Sequence, residues 1–277
     1  MAGGLAPAIE RARRIGAEAL QVFPSNPRQW RRCAYASEEL TGWGEDLRGA
    51  GLPLFVHTIY LINLASPDRS LRTRSASALA DALWFGALAA SQGVVTHIGS
   101  HRGAGFDSGL GCVADAVTEA LSGFRELSGS AATPPPLLLE TSAGAKNSLG
   151  ATPAEMGRIL ANLPEGAGVC LDTAHLYAGG FPVHTEDGFE DFLAEMDRCV
   201  GLHRIGLVHL NDSRSALGSR ADRHENLCEG NIGRKGLALW VRARVLQRVC
   251  FVIETPGFAD EGPDRRNLLR AKRLRVR

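Results

Sequence analysis

Short apolar runs and amphipathic stretches alternate along the whole of this chain, with no linker, repeat or low-complexity tract between two halves. Strands are expected at 19–23, 54–57, 94–97, 137–140, 169–172, 205–210 and 251–254. Helical patterns fall at 7–16, 38–49, 70–91, 112–127, 153–161, 188–199, 235–246 and 263–274. The strand candidates lack polar alternation, as parallel strands covered on both faces do. Prolines at 134–136 and the turn at 162–166 punctuate two of them. With 277 residues, the alternation reads as one (β/α)8 TIM barrel over 1–277, an architecture that takes about 250 residues. A helix comes first and one strand is short of eight, so the barrel is expected to lack its first strand. A seven-stranded or open doubly wound sheet is the alternative.

Composition narrows the class. An apolar share of 44% and a charged share of 22% are ordinary for a globular protein. No apolar run reaches the roughly 18 residues of a membrane span, and no basic-then-apolar leader opens the chain. Six cysteines lie far apart without a C-x-x-C pair, which argues against a disulfide framework and a thiolate metal site. A cytoplasmic protein with reduced thiols is expected. The net charge is only +1, yet basic residues crowd both ends: Arg11, Arg13, Arg14, Arg28, Arg31 and Arg32 near the start, and a run from Arg265 to Arg277. Such clusters are solvated helix faces or a surface for a polyanion.

In a barrel, residues ending the strands converge on one mouth. Here those residues are His57, His97, Glu140, Asp172, His209 and Glu254. One strand-end histidine is ordinarily structural. Six such groups in succession are different, because several carboxylates cannot share a cavity without cations. His175 lies just past its strand, and Asp222 and His224 share one side of an extended loop. The bland reading of that pair is a solvent-facing loop. Together these nine offer nitrogen and oxygen ligands without sulfur, which suits Zn²⁺ or Mn²⁺ and two or three ions.

Other motifs fail. His224-Glu-Asn-Leu-Cys228 lacks the second His of H-E-x-x-H, and the glycines of 103–109 and 144–150 have neither dinucleotide nor Walker spacing, so both read as flexible loops. His101, His184 and His203 have no motif support. No serine or cysteine nucleophile context is present.

Several segments resemble the endonuclease IV family of apurinic/apyrimidinic (AP) endonucleases. They include Phe23-Pro-Ser-Asn-Pro-Arg-Gln-Trp30, Val56-His-Thr-Ile-Tyr-Leu-Ile-Asn-Leu64, Thr96-His-Ile-Gly-Ser-His101, Leu139-Glu-Thr-Ser-Ala-Gly144, Val169-Cys-Leu-Asp-Thr-Ala-His175 and His209-Leu-Asn-Asp212. Gly218-Ser-Arg-Ala-Asp-Arg-His-Glu225, Glu229-Gly-Asn-Ile-Gly233 and Ile253-Glu-Thr255 complete the likeness, which runs from Ala2 to about Gly257. The resemblance implies a trinuclear zinc centre, with Mn²⁺ as a possible substitute. One zinc would be held by His57, His97 and Glu140, and a second by Glu140, Asp172, His209 and Glu254. The third would take His175, Asp222 and His224. Glu140 and Glu254 would be the catalytic carboxylates. The implied reaction is hydrolysis of the phosphodiester 5′ to an abasic site in double-stranded DNA, leaving a 3′-hydroxyl and a 5′-deoxyribose phosphate, with trimming of blocked 3′ ends besides. Arg28, Gln29 and Tyr60 match the residues that penetrate DNA at the lesion. Arg28-Gln-Trp30 also reads as a surface turn anchored by Trp30. Arg220 and Arg223, beside a ligand pair, are candidate phosphate contacts. A monomer is expected, with no membrane association and no protein partner evident.

The chain departs from the family pattern in places. Met1 stands where a further strand is usual, and a start codon assigned too late accounts for that better than a true truncation. Ile98 replaces a usual Pro, Ala145-Lys146 a common Gln-Gly, and Cys228 a common Gly, which strains its loop if the position needs a positive φ. Two rival functions remain: a metal-dependent sugar isomerase on a related barrel, and a cleavage-impaired protein that binds lesions. The isomerase has no need of Asp222, His224 or the Arg28–Trp30 loop.

Overall fold

A computed structural model describes residues 4–129 and 132–276. Met1–Gly3, where the departure at the start of the chain falls, and Arg277, which closes the basic run, lie outside them. The chain divides into two compact units. One runs through Glu140 and takes in Asn147–Leu149 and Ile159–Gly168; the other holds Thr141–Lys146, Gly150–Arg158 and the chain from Val169 on.

The first unit contains α1 (Leu5–Ile15), β1 (Leu20–Val22), α2 (Ser37–Gly49), β2 (Leu54–His57), α3 (Arg69–Leu88), β3 (Gly93–Thr96), α4 (Phe106–Ser128) and β4 (Leu137–Glu140). Its four strands pair in parallel in chain order, with Val22 beside Val56, Val56 beside Val94 and Val94 beside Leu137. Every residue of β2, β3 and β4 is buried, which is why these strands read as continuous apolar runs. α3 and α4 pack together, and Leu79, Leu83, Val113, Val117 and Phe124 on them are buried. Trp43 of α2 meets Phe85 of α3 edge-on at 6.1 Å. Each such side chain, once fully buried, contributes roughly 1.5–3 kcal/mol.

α5 (Pro153–Leu160) joins the units in sequence. The second unit then holds β5 (Gly168–Asp172), α6 (Thr173–Gly179), α7 (Glu186–Cys199), β6 (Ile205–His209), β7 (Asp212–Ser213), β8 (His224–Glu225), α8 (Gly233–Arg242), β9 (Cys250–Val252) and α9 (Arg265–Arg275). β5, β6 and β9 pair in parallel, with Asp172 beside His209 and His209 beside Val252. Trp240, fully buried, meets Phe189 at 5.0 Å and Phe192 at 6.0 Å. β7 and β8 form a small antiparallel hairpin. The Asp212 carboxylate accepts N–H bonds from Ser213, Gly230, Ile232 and Gly233, fastening the start of α8. Burial still raises its pKa against those four donors.

Several elements differ from the sequence expectation. β3 ends at Thr96 and β9 at Val252, so His97 and Glu254 stand just beyond their strands. α4 begins at Phe106, inside a segment read as a flexible loop. Its glycines hid the helix: Gly109 lies on the helix face where a Cβ would come within 2.9 Å of the His101 side chain. His101 accepts N–H bonds from Gly103 and Gly105 and so fixes the entry into α4. α6 escaped notice because six of its seven residues are buried, leaving no polar face to mark a helical period.

All six cysteines are free thiols, and among the described residues no helix is long and apolar enough to cross a membrane. Cys228 adopts φ +68°, the left-handed region. For a residue with a Cβ that costs about 1–2 kcal/mol. The variant Cys228→Gly is therefore expected to gain about 1 kcal/mol in urea denaturation; an unchanged or lowered midpoint contradicts the strain.

Candidate metal centre

In the first unit β2 and β4, with the residue after β3, bring His57, His97 and Glu140 together. Glu140 Oε2 lies 3.1 Å from His57 Nε2 and 3.2 Å from His97 Nδ1. His57 and Glu140 are almost wholly buried, whereas His97 is about one-third exposed. The other nitrogen of His57 donates to the Thr58 carbonyl at 2.7 Å. A carbonyl only accepts, so the hydrogen sits on Nδ1 and the Nε2 lone pair is turned toward Glu140.

The second unit gathers the other five candidates around Asp172. This residue ends β5 and caps α6, its Oδ1 accepting the His175 N–H at 2.8 Å. That cap turns the chain so that His175, three residues on, faces the same cluster. His175 donates from Nδ1 to the Thr141 carbonyl at 2.8 Å and presents Nε2 to Asp222 Oδ2 at 3.2 Å. The β7–β8 hairpin folds the loop back so that His224 Nε2 lies 3.2 Å from Asp222 Oδ1 and 3.5 Å from Asp172 Oδ2. At the end of β6, His209 Nδ1 lies 3.3 Å from Glu254 Oε2 and 3.7 Å from Asp172 Oδ2. Asp222 is half exposed and lies between the exposed Arg220 and Arg223, but its carboxylate faces His175 and His224.

These donor sets suit cations. Ligand atoms about 2.0–2.2 Å from a small tetrahedral ion stand roughly 3.3–3.6 Å from one another, close to the separations found. His224 Nε2 is buried without a hydrogen-bond partner although two carboxylates stand near it. His57, His175 and His224 each turn Nδ1 to a backbone carbonyl, the arrangement that fixes the tautomer of metal-ligating histidines. In both units, atoms that would otherwise repel are aimed at common points.

The electrostatics agree. Burial opposes a charged His224, but Asp172 and Asp222 outweigh it and push the imidazole up to about 9. Burial likewise works against the Asp222 carboxylate, yet the neighbouring His175 and His224 imidazoles hold it well below the usual range. Without a cation, a proton takes its place.

Three residues that sequence reading left without a role support the cluster: Thr141, Thr173 and Asn211. Thr141 Oγ1 accepts the Asp172 N–H at 2.9 Å, and Thr173 Oγ1 donates to the Asn211 carbonyl at 2.6 Å. Neutral side chains carry no spacing signal, so only the fold reveals them.

Residues 9–273 match the family described as xylose isomerase-like TIM barrel. The chain is 37% identical over 271 residues to a probable endonuclease 4 of Chloroflexus aggregans, covering 97% of this chain and 93% of that protein. It is 36% identical to the probable endonuclease 4 of Halothermothrix orenii, covering 98% of this chain and 96% of that one. The crystal structure of endonuclease IV from Thermus thermophilus matches with a TM-score of 0.84 at 37% identity, over 98% of this chain and 94% of that one. The chain belongs to the endonuclease IV family. Its fold is the TIM barrel expected from the alternation of strands and helices. A D-tagatose 3-epimerase-like protein, at 17% identity and a TM-score of 0.67, shares that fold alone.

The segment that carries Arg28 and Gln29 is a tight turn, with Asn26 Oδ1 accepting the Arg28 N–H at 3.0 Å. Arg28 and Gln29 project into solvent, while Trp30 packs beneath the Arg74 guanidinium at 4.5 Å. The turn is thus a surface turn anchored by Trp30. Tyr60, 49% exposed, stands 6.0 Å from the His57 ring and 6.2 Å from the His97 ring.

The raised pKa of His224 sets a pH dependence. A proton held more tightly in the folded state stabilises most below the unfolded pKa of about 6.5, and the benefit disappears as pH rises through about 9. Chelator-treated protein is expected to lose denaturation midpoint across this window, and His224→Gln to lose less. Equal slopes in the two proteins contradict the assignment.

Proposed function

We propose that this member of the endonuclease IV family is a zinc-dependent DNA-repair nuclease that hydrolyses the phosphodiester 5′ to abasic sites in duplex DNA, leaving a 3′-hydroxyl and a 5′-deoxyribose phosphate. Trimming of blocked 3′ ends falls to the same centre. The observation that carries the reading is the gathering of buried imidazoles and carboxylates into cation-shaped groups in each unit, in a chain 37% identical to a solved endonuclease IV.

Three zinc ions are assigned to His57, His97 and Glu140; to Glu140, Asp172, His209 and Glu254; and to His175, Asp222 and His224. Mn²⁺ is the expected substitute, since the donors are nitrogen and oxygen without sulfur. Ions held there supply Lewis-acid charge for a phosphate and acidify a bound water toward neutral pH. Glu140, almost wholly buried, is assigned to the first two groups alike. Glu254, whose side chain is 21% exposed, is the carboxylate open to solvent and would take up the proton that the attacking water releases.

Arg28, Gln29 and Tyr60 read the lesion. A missing base leaves a stacking gap, so extruding that nucleotide costs less and side chains can fill the space. Arg28 and Gln29 are free to enter a helix because Trp30, rather than they, anchors the turn. Tyr60 offers a stacking face beside two proposed zinc ligands. Arg220 and Arg223, both exposed on the loop that carries Asp222, hold backbone phosphates. One free mouth face for bent duplex DNA fits a monomer. The His175, Asp222 and His224 group favours a nuclease over a sugar isomerase.

A duplex with a synthetic abasic site tests the proposal. Cleavage on the 5′ side that chelator abolishes and zinc restores is expected, with Glu140→Gln at least about 100-fold slower; metal-independent cleavage, or none, contradicts it. Tyr60→Ala is expected to weaken abasic-site binding by about 1–3 kcal/mol while sparing affinity for intact duplex. Equal losses on both DNAs would remove the residue from lesion reading.

A further inference from the structure

We propose that Asn211 is the positioning residue that sets which oxygen of Asp172 faces the ions of the second unit, and so tunes their affinity. Asn211 is fully buried and bonded on every side. Its Nδ2 donates to Asp172 Oδ2 at 2.7 Å, and its Oδ1 accepts the Glu254 N–H at 2.8 Å. One short amide thus ties the Asp172 carboxylate at the end of β5 to the backbone of Glu254 after β9, two residues that the proposed function assigns as ligands.

The orientation of the amide is forced. A carboxylate needs a donor and a backbone N–H needs an acceptor, so exchanging the amide nitrogen and oxygen would break both bonds. Asn211 is itself clamped, its N–H donating to Thr173 Oγ1 at 2.8 Å and its carbonyl accepting from that hydroxyl at 2.6 Å. Thr173 is the neighbour of Asp172, so the clamp closes on the ligand it serves.

The consequence falls on Asp172 Oδ2, which faces both His209 and His224. Oδ1 is occupied by the His175 N–H. The Asn211 bond fills one lone-pair direction of Oδ2 and leaves the other for a cation. Alanine at 211 reaches neither group, and leucine fills the space without a hydrogen bond. In either variant Asp172 can turn, and the Glu254 N–H loses its acceptor inside the protein. Partners of this kind are worth about 10–100-fold in metal affinity.

This inference rests on the assignment of Asp172 and Glu254 as ligands and not on DNA cleavage. Chelator-stripped protein would be titrated with Co²⁺, following the visible absorption of the bound ion, for wild type, Asn211→Ala and Asn211→Leu. Leucine keeps the core filled should alanine impair folding, and circular dichroism reports the fold. Both variants are expected to bind Co²⁺ about 10–100-fold more weakly at the Asp172 sites with an altered spectrum, while the His57–His97–Glu140 site stays near wild type. Folded variants with wild-type affinity and spectrum overturn the proposal, even if their metal-free stability is lower, since that pattern marks a merely structural residue. Wild-type protein that binds Co²⁺ and leaves abasic DNA uncut would sink the hydrolase reading alone.

Discussion

Imidazole lone pairs and carboxylate oxygens are held face to face in places where water cannot separate them. Glu140, Asp172 and His209 are almost wholly buried, and burying charge without a counter-charge costs several kcal/mol per group. Protons relieve part of this, as the raised pKa of His224 illustrates. Divalent cations relieve it better, because one ion satisfies several donors at once. The rest of the structure is arranged around that need: strands that deliver the groups, carbonyls that set the histidine tautomers, and neutral side chains that hold the carboxylates.

Parallel strands make the delivery possible. A strand buried on both faces must be apolar along its length, and a polar side chain is tolerated at its end, where the chain leaves the sheet. His57, Glu140, Asp172 and His209 occupy such ends. Asp172 does more than end a strand, since its carboxylate starts the helix that presents His175. The same few atoms therefore cap a helix, orient His175 and carry charge into the cluster. Substitution at such a point disturbs folding and chemistry together.

Much of this was legible before the fold. Uniform burial makes strands read as unbroken apolar runs, and all seven expected strands stand within two residues of the observed ends. His97 and Glu254 were recognised although they fall just outside regular structure, because the chemistry of the residue mattered more than the boundary. The illegible parts share a physical cause. A helix as buried as α6 has no periodic polar face. The β7–β8 hairpin has two residues per strand, too few for any alternation. The helical start of α4 is masked by glycines, of which Gly109 lies in close approach to His101. Asn211 and Thr173 are neutral residues whose meaning lies in partners brought near only by folding.

The central claim, that these side chains jointly hold several divalent ions, is tested most directly by X-ray diffraction from zinc-loaded crystals at the zinc absorption edge. The account predicts three anomalous peaks per chain: one about 2.0–2.2 Å from His57, His97 and Glu140, one among Asp172, His209 and Glu254, and one among His175, Asp222 and His224. Anomalous signal confined to surface residues, with none at these groups, would contradict it.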